Sequence, residues 1–300
     1  MDRIDLFKTF LQVVESSSFT RAADMLGMPR SSVSAAIQDL ETRVGTRLLH
    51  RTTRRVTPTR DGLAFYERCL QLIDDVEEAE GLFQQAAGGP SGMLRIDVPG
   101  RIGRLIIAPA LPDFFSRYPN IHIALGVTDR AVNLVEGSID CALRVGPLAD
   151  SGMIARSLGE LPLINIASPD YIARHGVPVT PADLPHHRAV RYASPSSGRV
   201  EDWEWIEGGL TRAQAMSGSV TVNSAEAYIA CCLAGLGLIQ IPAYDVRVQL
   251  ATGALVEVLP GHRAAPMPVT LLYPHRRHLS QRLQIFADWL AGLLAREVLC

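Results

Sequence analysis

The stretch SFTRAADMLGMPRSSVSAAIQDLETRVGTRLLHRTTRR, residues Ser18–Arg55, decides the reading of this chain. Its periodicity predicts two short helices with a tight break between them. Ser18 is placed to cap the first, Ala22, Ala23 and Leu26 form its apolar stripe, and Gly27 offers a left-handed stop. The second helix is expected over about 30–44, with Val33, Ile37, Leu40 and Val44 buried at three-to-four spacing. Its opposite face carries Arg30, Ser31, Ser34, Ala35 and Gln38, which are short, uncharged or cationic. A helix entering a DNA major groove needs such a face, because bulk clashes with the duplex and carboxylates repel its phosphates. Arg51, Thr52, Thr53, Arg54 and Arg55 come next, on a predicted hairpin suited to gripping the backbone.

Working outward, the first helix is expected to start at Asp2 and to bury Ile4, Phe7, Leu11 and Val14 behind this pair. The hairpin ends at Val56-Thr57-Pro58, and Thr59 is a cap for the next helix. From 59 to 87 runs an acidic amphipathic segment with Tyr66, Leu70, Ile73, Val76, Leu82 and Phe83 in one stripe. A seam of roughly 40 Å is too long for a small domain to cover, so it is expected to pair with a second copy of itself. Gly88-Gly89-Pro90-Ser91-Gly92 is a turn-forming joint.

Beyond the joint, strands alternate with helices: strands at 93–98, 122–127 and 139–145, helices at 103–117 and 132–136. A second series has strands at 163–167, 188–193, 204–207, 218–222, 238–241 and 268–273, with helices at 169–175, 224–234 and 279–295. Asn223 is read as the cap of the 224–234 helix, with Glu226 completing a capping box. The succession implies a mostly parallel sheet with right-handed crossovers. Ligands in such sheets sit at the carboxyl ends of strands, here Pro99, Gly100, Arg101 and Ile102, then Thr128, then Arg144 and Gly146. The amides of Asn223, Ser224 and Ala225 open a helix and suit an anion. The bland reading of each is turn chemistry and, for Arg144, an ion pair with Asp140 or Asp129.

The net charge of −2 conceals a split. Residues 1–60 carry ten Lys+Arg against six Asp+Glu, residues 61–90 one against seven, and the remainder balances. The positive charge is local to the candidate DNA-binding part. Lys8 is the only lysine, which removes a Walker loop and any Schiff base elsewhere. Five cysteines, with no CxxC, read as small buried hydrophobes in a reducing compartment. No signal peptide and no membrane-length apolar run are read, so a cytoplasmic protein with no membrane partner is expected. There is no GxSxG, HExxH, or GxGxxG after a strand, so no catalytic residues and no cofactor are assigned. His186-His187 in their Pro-rich loop are expected to be solvated, and His275 and His278 lack a third ligand, so no metal is assigned.

The pattern AAxxLxxxxxxVSxxIxxLExxxGxxLLxRTxRRVxxTxxG, from Ala22 to Gly62, resembles the winged helix-turn-helix of LysR-type transcriptional regulators. The runs Val127–Gly146 and Ala234–Pro242 are similar to that family's effector-binding domain, itself like a type 2 periplasmic binding protein. The resemblance implies an α+β protein overall. It would have an all-α winged helix-turn-helix DNA-binding domain (1–58), a linker and dimerisation helix (59–89) and a two-lobe α/β effector domain (90–300). Lobe one would be 91–161 plus 266–300 and lobe two 162–265, with both crossings forming the hinge. It implies promoter DNA contacts from Thr20, Arg30, Ser31, Ser32, Ser34, Gln38, Arg51, Thr52, Arg54 and Arg55. It also implies a homodimer or homotetramer, and a small-molecule effector in the cleft. An organic anion is one reading of that effector; a neutral molecule is the other, if Arg101 and Arg144 are held in structural pairs. This chain departs from the family at Pro29-Arg30-Ser31 and Ala35, so the usual base contacts are not all carried over. An enzyme or solute carrier on the same lobes is the competing class, and the amino-terminal wing and missing catalytic set weigh against it.

Overall fold

A computed structural model describes residues 1–51, 56–81, 89–129, 139–148, 152–195, 197–274 and 279–298. The chain divides into two compact units, one centred on residues 1–94 and the other on 95–300.

In the first unit, helix α1 (Arg3–Ser16) begins with a reciprocal capping box. Asp2 accepts from the Asp5 amide at 2.7 Å, and Asp5 accepts from the Asp2 amide at 3.3 Å. Its buried face is wider than the single stripe expected: Leu6, Thr9, Phe10, Leu11 and Val13 are buried, while Ile4, Phe7 and Val14 are only partly covered. The reason is that α1 is packed from two sides. Helices α2 (Phe19–Leu26) and α3 (Arg30–Val44) lie against it, and so does α4 (Arg60–Gly81), whose Phe65 meets Phe7 and Phe10 edge-on at 5.7 and 5.6 Å. Ser18 caps α2, and Gly27, at φ +63°, ends it. In α3 the expected Val33, Ile37 and Leu40 are buried, but Val44 is 41% exposed because the last turn projects beyond the core.

Strands β1 (Leu49–Arg51) and β2 (Val56–Pro58) pair antiparallel, with Leu49 opposite Pro58. The Glu41 carboxylate accepts from the Leu48 and Leu49 amides at 2.9 and 3.1 Å and so ties this hairpin to α3. Thr59 receives the Gly62 amide at 2.9 Å and caps α4, in line with the sequence expectation.

The stripe on α4 has a different partner from the one expected. Cys69 and Ile73 are buried in the three-helix core, with Phe65, Tyr66 and Leu70 packed against it. The small domain therefore does cover the first half of the seam, and Ile73 belongs to the chain's own core. We expect Ile73→Asp to melt this unit: it forfeits the ~2–5 kcal/mol of a buried Ile and adds the cost of an unpaired buried charge. Parent-like circular-dichroism melting of the variant, with only its sedimentation changed, would refute that placement.

The second half of the chain supplies β3 (Gly92–Val98), α5 (Gly100–Ile102), a π-helical stretch (Gly103–Ile107) and α6 (Ala108–Arg117). Then come β4 (Ile121–Val127), β5 (Cys141–Val145), β6 (Ile154–Leu161), β7 (Leu163–Ala167), α7 (Pro169–His175) and β8 (Arg191–Tyr192). After these lie β9 (Trp203–Glu207), β10 (Leu210–Gln214), β11 (Thr221–Val222), α8 (Ala225–Leu233), β12 (Ile239–Pro242) and α9 (Arg247–Ala251). Strands β13 (Val256–Glu257) and β14 (Met267–Tyr273) and helix α10 (Gln281–Glu297) complete the chain.

A five-stranded sheet runs β4-β3-β5-β14-β6 and a three-stranded sheet β12-β7-β13. The first sheet is mixed and the second antiparallel throughout, which corrects the mostly parallel expectation. Strands β3 and β5 are parallel, but β14 runs antiparallel to both β5 and β6, and β7 is antiparallel to β12 and β13. Strand β6 is absent from the sequence expectation. Its residues alternate in exposure and include Arg156, Ser157 and Glu160, as suits an edge. Pro162 alone separates β6 from β7, and the chain returns between β13 and β14. Phe114 of α6 packs on Phe286 and Trp289 of α10 at 5.9 and 4.9 Å. Ile164, Tyr228, Ile229 and Ile239 form one core of the second sheet, and Tyr171, Ala189, Trp203 and Leu238 another.

Cys69, Cys141 and Cys232 are buried, and loss of water pushes the Cys69 and Cys232 thiols up to about 12. His187 is buried too, 3.2 Å from the Tyr171 hydroxyl, and burial lowers its proton affinity; the solvated expectation holds only for His186. No helix among the described residues is long and apolar enough to cross a membrane. The expected 132–136 helix, Leu82, Phe83, Thr52, Thr53, Arg54, Arg55, His275, His278 and Cys300 lie outside the described residues.

Candidate functional site

Two surfaces collect the residues singled out by sequence. On the first unit, burial of Val33, Ala36, Ile37 and Leu40 fixes which face of α3 looks outward. Arg30, Ser31, Ala35 and Gln38 are exposed on it, Ser32 and Ser34 are half-exposed, and Thr20 is exposed at the start of α2. Pro29 holds the N-cap position of α3 and gives no side-chain bond, as its chemistry requires. The backbone of Arg51 lies in β1. No carboxylate interrupts the outer face before Asp39, so the surface presents one cation and several short hydroxyl or amide donors.

The second surface lies where α5 meets α8. Arg101 is only 7% exposed. Its Nε donates to Asp245 at 2.8 Å, a second nitrogen donates to the Asp245 carbonyl, and a third meets Glu226 at 2.9 Å. Arg104 holds the other Glu226 oxygen at 2.6 Å. Arg101 and Arg104 come from the helical turns after β3, whereas Glu226 and Asp245 belong to the α8–β12 region, so the cluster bridges the two sheets' substructures.

Burial dominates the Asp245 carboxyl and lifts it to about 6, despite the opposing pull of Arg101. Partial burial works the same way on Glu226, but Arg101 and then Arg104 outweigh it and hold this carboxyl below its ordinary range. Burial also opposes the charge on Arg101, yet Asp245 and Glu226 more than compensate.

Several expected ligand residues are otherwise engaged. Ile102 is fully buried. Arg144 pairs with Asp97 at 2.8 Å, not with Asp140 or Asp129, because β3 and β5 are sheet neighbours. The Gly146 amide is taken by the Pro268 carbonyl at 2.9 Å, and the Thr128 amide by Val98 at 3.0 Å. The Gly100 amide donates to Asp129 at 2.9 Å. Pro99 is the uncharged N-cap of α5.

Asn223 does not cap α8. Ser224 occupies that position without a side-chain bond, and Glu226 turns to the arginines instead of closing a capping box. Arg101 is thus brought to Glu226 in the first turn of α8, while Ile102, Arg144 and Gly146 are held within the five-stranded sheet and its core. Sequence reasoning missed Asp245 and Arg104, and gave Glu226 and Asp129 other roles, in a capping box and as a partner of Arg144. Only Asp245 carried a signal, a lone carboxylate in the apolar run IPAYDV. Among the described residues no group of three His, Cys, Asp or Glu could hold a metal ion.

Residues 4–63 match the family described as bacterial regulatory helix-turn-helix protein, lysR family, and residues 87–295 match LysR substrate binding domain. The chain is 44% identical to an uncharacterized HTH-type transcriptional regulator, YhjC, of Escherichia coli, over 98% of both chains. It is 39% identical to an HTH-type transcriptional repressor of Pseudomonas aeruginosa, over 99% of this chain and 94% of the other. The solved structure of CrgA, a LysR-type transcriptional regulator from Neisseria meningitidis, is similar at a TM-score of 0.62 and 31% identity, over 97% of this chain and 99% of that one.

Proposed function

We propose, since this chain belongs to the LysR family of effector-modulated, DNA-binding transcriptional regulators, how its own residues divide that work. The outer face of α3, with Ser31, Ser32, Ser34 and Gln38, reads bases, and Thr20, Arg30 and the wing residues Arg51, Thr52, Arg54 and Arg55 hold phosphates. Two or four copies act together in the cytoplasm, joined through the linker beyond Ile73, because one wing domain alone offers too few contacts for selectivity. The domain division at about 58 and 89 and the lobes 91–161 plus 266–300 and 162–265 belong to the same proposal.

The effector enters beside Pro99, Gly100, Thr128, Ser224 and Ala225. The carrying observation is the Arg101 clasp, which bridges the lobes at this point with distances of 2.8 Å to Asp245 and 2.9 Å to Glu226. A ligand changes DNA affinity only if it prefers one lobe arrangement, and one that opens or tightens this clasp has that preference. Both arginines expected to receive an anion are already paired, which favours the neutral, polar effector. The test is a calorimetric titration of the full chain with uncharged and anionic metabolites, parent against Thr128→Val and Ser224→Ala. An effector that binds both variants as tightly as the parent sits elsewhere.

On the DNA side, Gln38→Ala or Ser34→Ala is expected to change preference at particular bases by about 1–3 kcal/mol. Arg54→Ala or Arg55→Ala should weaken binding to every sequence and flatten its salt dependence. Equal, sequence-independent losses in anisotropy titrations of all four variants would contradict this division.

A further inference from the structure

One side chain ties α3 to the β1–β2 hairpin. Glu41 lies in the last turn of α3 and is half-buried. A single carboxylate oxygen accepts from two consecutive amides, Leu48 at 2.9 Å and Leu49 at 3.1 Å. Leu49 opens β1, and the backbone of Arg51 lies two residues further along the same strand. Among the described residues, no other side chain of α3 hydrogen-bonds to this hairpin or to the segment leading into it. Glu41 also shares a stripe with two of the base readers proposed above. Ser34, Gln38 and Glu41 are spaced by four and then three, so they line one side of the helix. From Ser34 to Glu41 this stripe is about 10 Å long.

The surrounding contacts do not duplicate this tie. Leu49 and Val56 are buried in the three-helix core, but apolar packing is non-directional and lets a strand slide. The Thr59 hydroxyl donates to the Arg47 carbonyl at 2.8 Å, and its amide donates to the Leu48 carbonyl at 2.9 Å. Thr46 donates to Asp61 at 3.1 Å. These bonds hold the joint to the start of α4, not to α3. A carboxylate on amides makes bonds that are short, directional and stronger than neutral ones. We infer that Glu41 is a positioning residue for operator recognition. It sets the spacing and tilt between the outer face of α3 and the wing, so that base and phosphate contacts form together. The inference rests on the division of DNA contacts proposed above. When both contacts come from one rigid unit, the second forms at high effective concentration once the first is made. Loosening the tie removes that advantage from the specific complex alone, because on random DNA the wing meets phosphates wherever it lands.

The experiment first selects a duplex from a random library with the full parent chain. Anisotropy titrations across a salt series then compare that duplex with one of random sequence, each concentration corrected by thermal melting for the folded fraction. Glu41→Asp, a methylene too short to hold both amides, should weaken the selected duplex about 10–100-fold and the random one less than about 3-fold. Its salt dependence on the selected duplex should flatten by roughly one phosphate contact per copy. Glu41→Gln keeps an acceptor at the same reach and should stay within about 3-fold of the parent on both duplexes. Equal losses of Glu41→Asp on the two duplexes would overturn the positioning role, and so would a Glu41→Gln chain as impaired as Glu41→Asp. Arg54→Ala in the same series separates this role from the reading beneath it. Parent-like binding of random DNA by Arg54→Ala would take the wing off the DNA and overturn both. A loss there, together with parent-like selectivity in Glu41→Asp, would overturn the role of Glu41 alone.

Discussion

Gly62→Ala is expected to unfold the DNA-binding unit while leaving the effector unit standing. A Cβ at Gly62 would lie 1.9 Å from the Leu48 carbonyl oxygen and 2.9 Å from its carbonyl carbon, both backbone atoms. The obstacle cannot retreat cheaply. The Leu48 amide is held by Glu41 at 2.9 Å, its carbonyl accepts from the Thr59 amide at 2.9 Å, and its side chain is 1% exposed. Overpacking usually costs ~1–3 kcal/mol, and more where nothing can yield. At the upper end this lowers the melting point of a domain of this size by about 12–24 °C. Gly45→Ala is the informative contrast. It has φ +76° but nothing within 4 Å of its Cβ, so only backbone strain of roughly 1–2 kcal/mol applies. Calorimetric melting of the full chain should show the first transition lost or strongly lowered for Gly62→Ala and mildly lowered for Gly45→Ala. Similar shifts for the two would mean that the close approach is not what fixes Gly62.

The second large effect is expected from Arg101→Ala. It leaves Asp245, 5% exposed, as a buried carboxylate without its cation, a change that costs about 3–5 kcal/mol when the charge cannot escape. Asp245 escapes by taking up a proton. Its carboxyl already sits at about 6, raised by burial against the pull of Arg101, and removing Arg101 raises it further. A carboxyl whose folded value lies above its unfolded one contributes stability that is fully present below about 4 and is lost as pH rises through the folded value. The deficit of Arg101→Ala should therefore be greatest above the variant's raised value, narrow as pH falls toward about 6, and level off below it, where the parent carboxyl takes up its proton too. Glu226, being half-exposed, adds less. Urea unfolding of both chains across that range measures it, and a deficit independent of pH would show that Asp245 is not the group left stranded. The double variant Arg101→Met with Asp245→Leu should recover most of the loss, since apolar replacement of a buried pair is often neutral.

Local signals are legible in the sequence wherever they rest on a few neighbouring residues. Asp2, Ser18 and Thr59 cap the expected helices, Gly27 ends α2, and α7 occupies 169–175. Each depends on a side chain and amides at most three residues away. The illegible features depend on partners distant in sequence. Arg101 and Asp245 are separated by 144 positions, and nothing in either neighbourhood names the other. Arg144 does form an internal pair, but its partner Asp97 is chosen by the β3–β5 neighbourhood, which the sequence does not display. Asn223 fails as a cap because Glu226, needed to complete the box, is drawn away by two arginines from another element. Strand β6 escapes notice for a related reason: as an edge, it lacks the apolar run by which buried strands announce themselves.

The position of β14 has a consequence for synthesis. It lies between β5 and β6, pairing with Ala142–Val145 on one side and Ile154–Leu161 on the other, yet it is made long after both. At ~5–20 residues per second a ribosome needs roughly 6–25 s to travel from Val145 to Met267. During that interval the helix-turn-helix unit is complete outside the ribosome, and the β7-centred sheet can close, while β5 and β6 each carry a bare edge. Bare edges recruit other strands, so this is the period in which the nascent chain most needs a chaperone. A message truncated before the codon for Met267 would make that exposure permanent, yielding a protein able to fold its DNA-reading head on a body that aggregates.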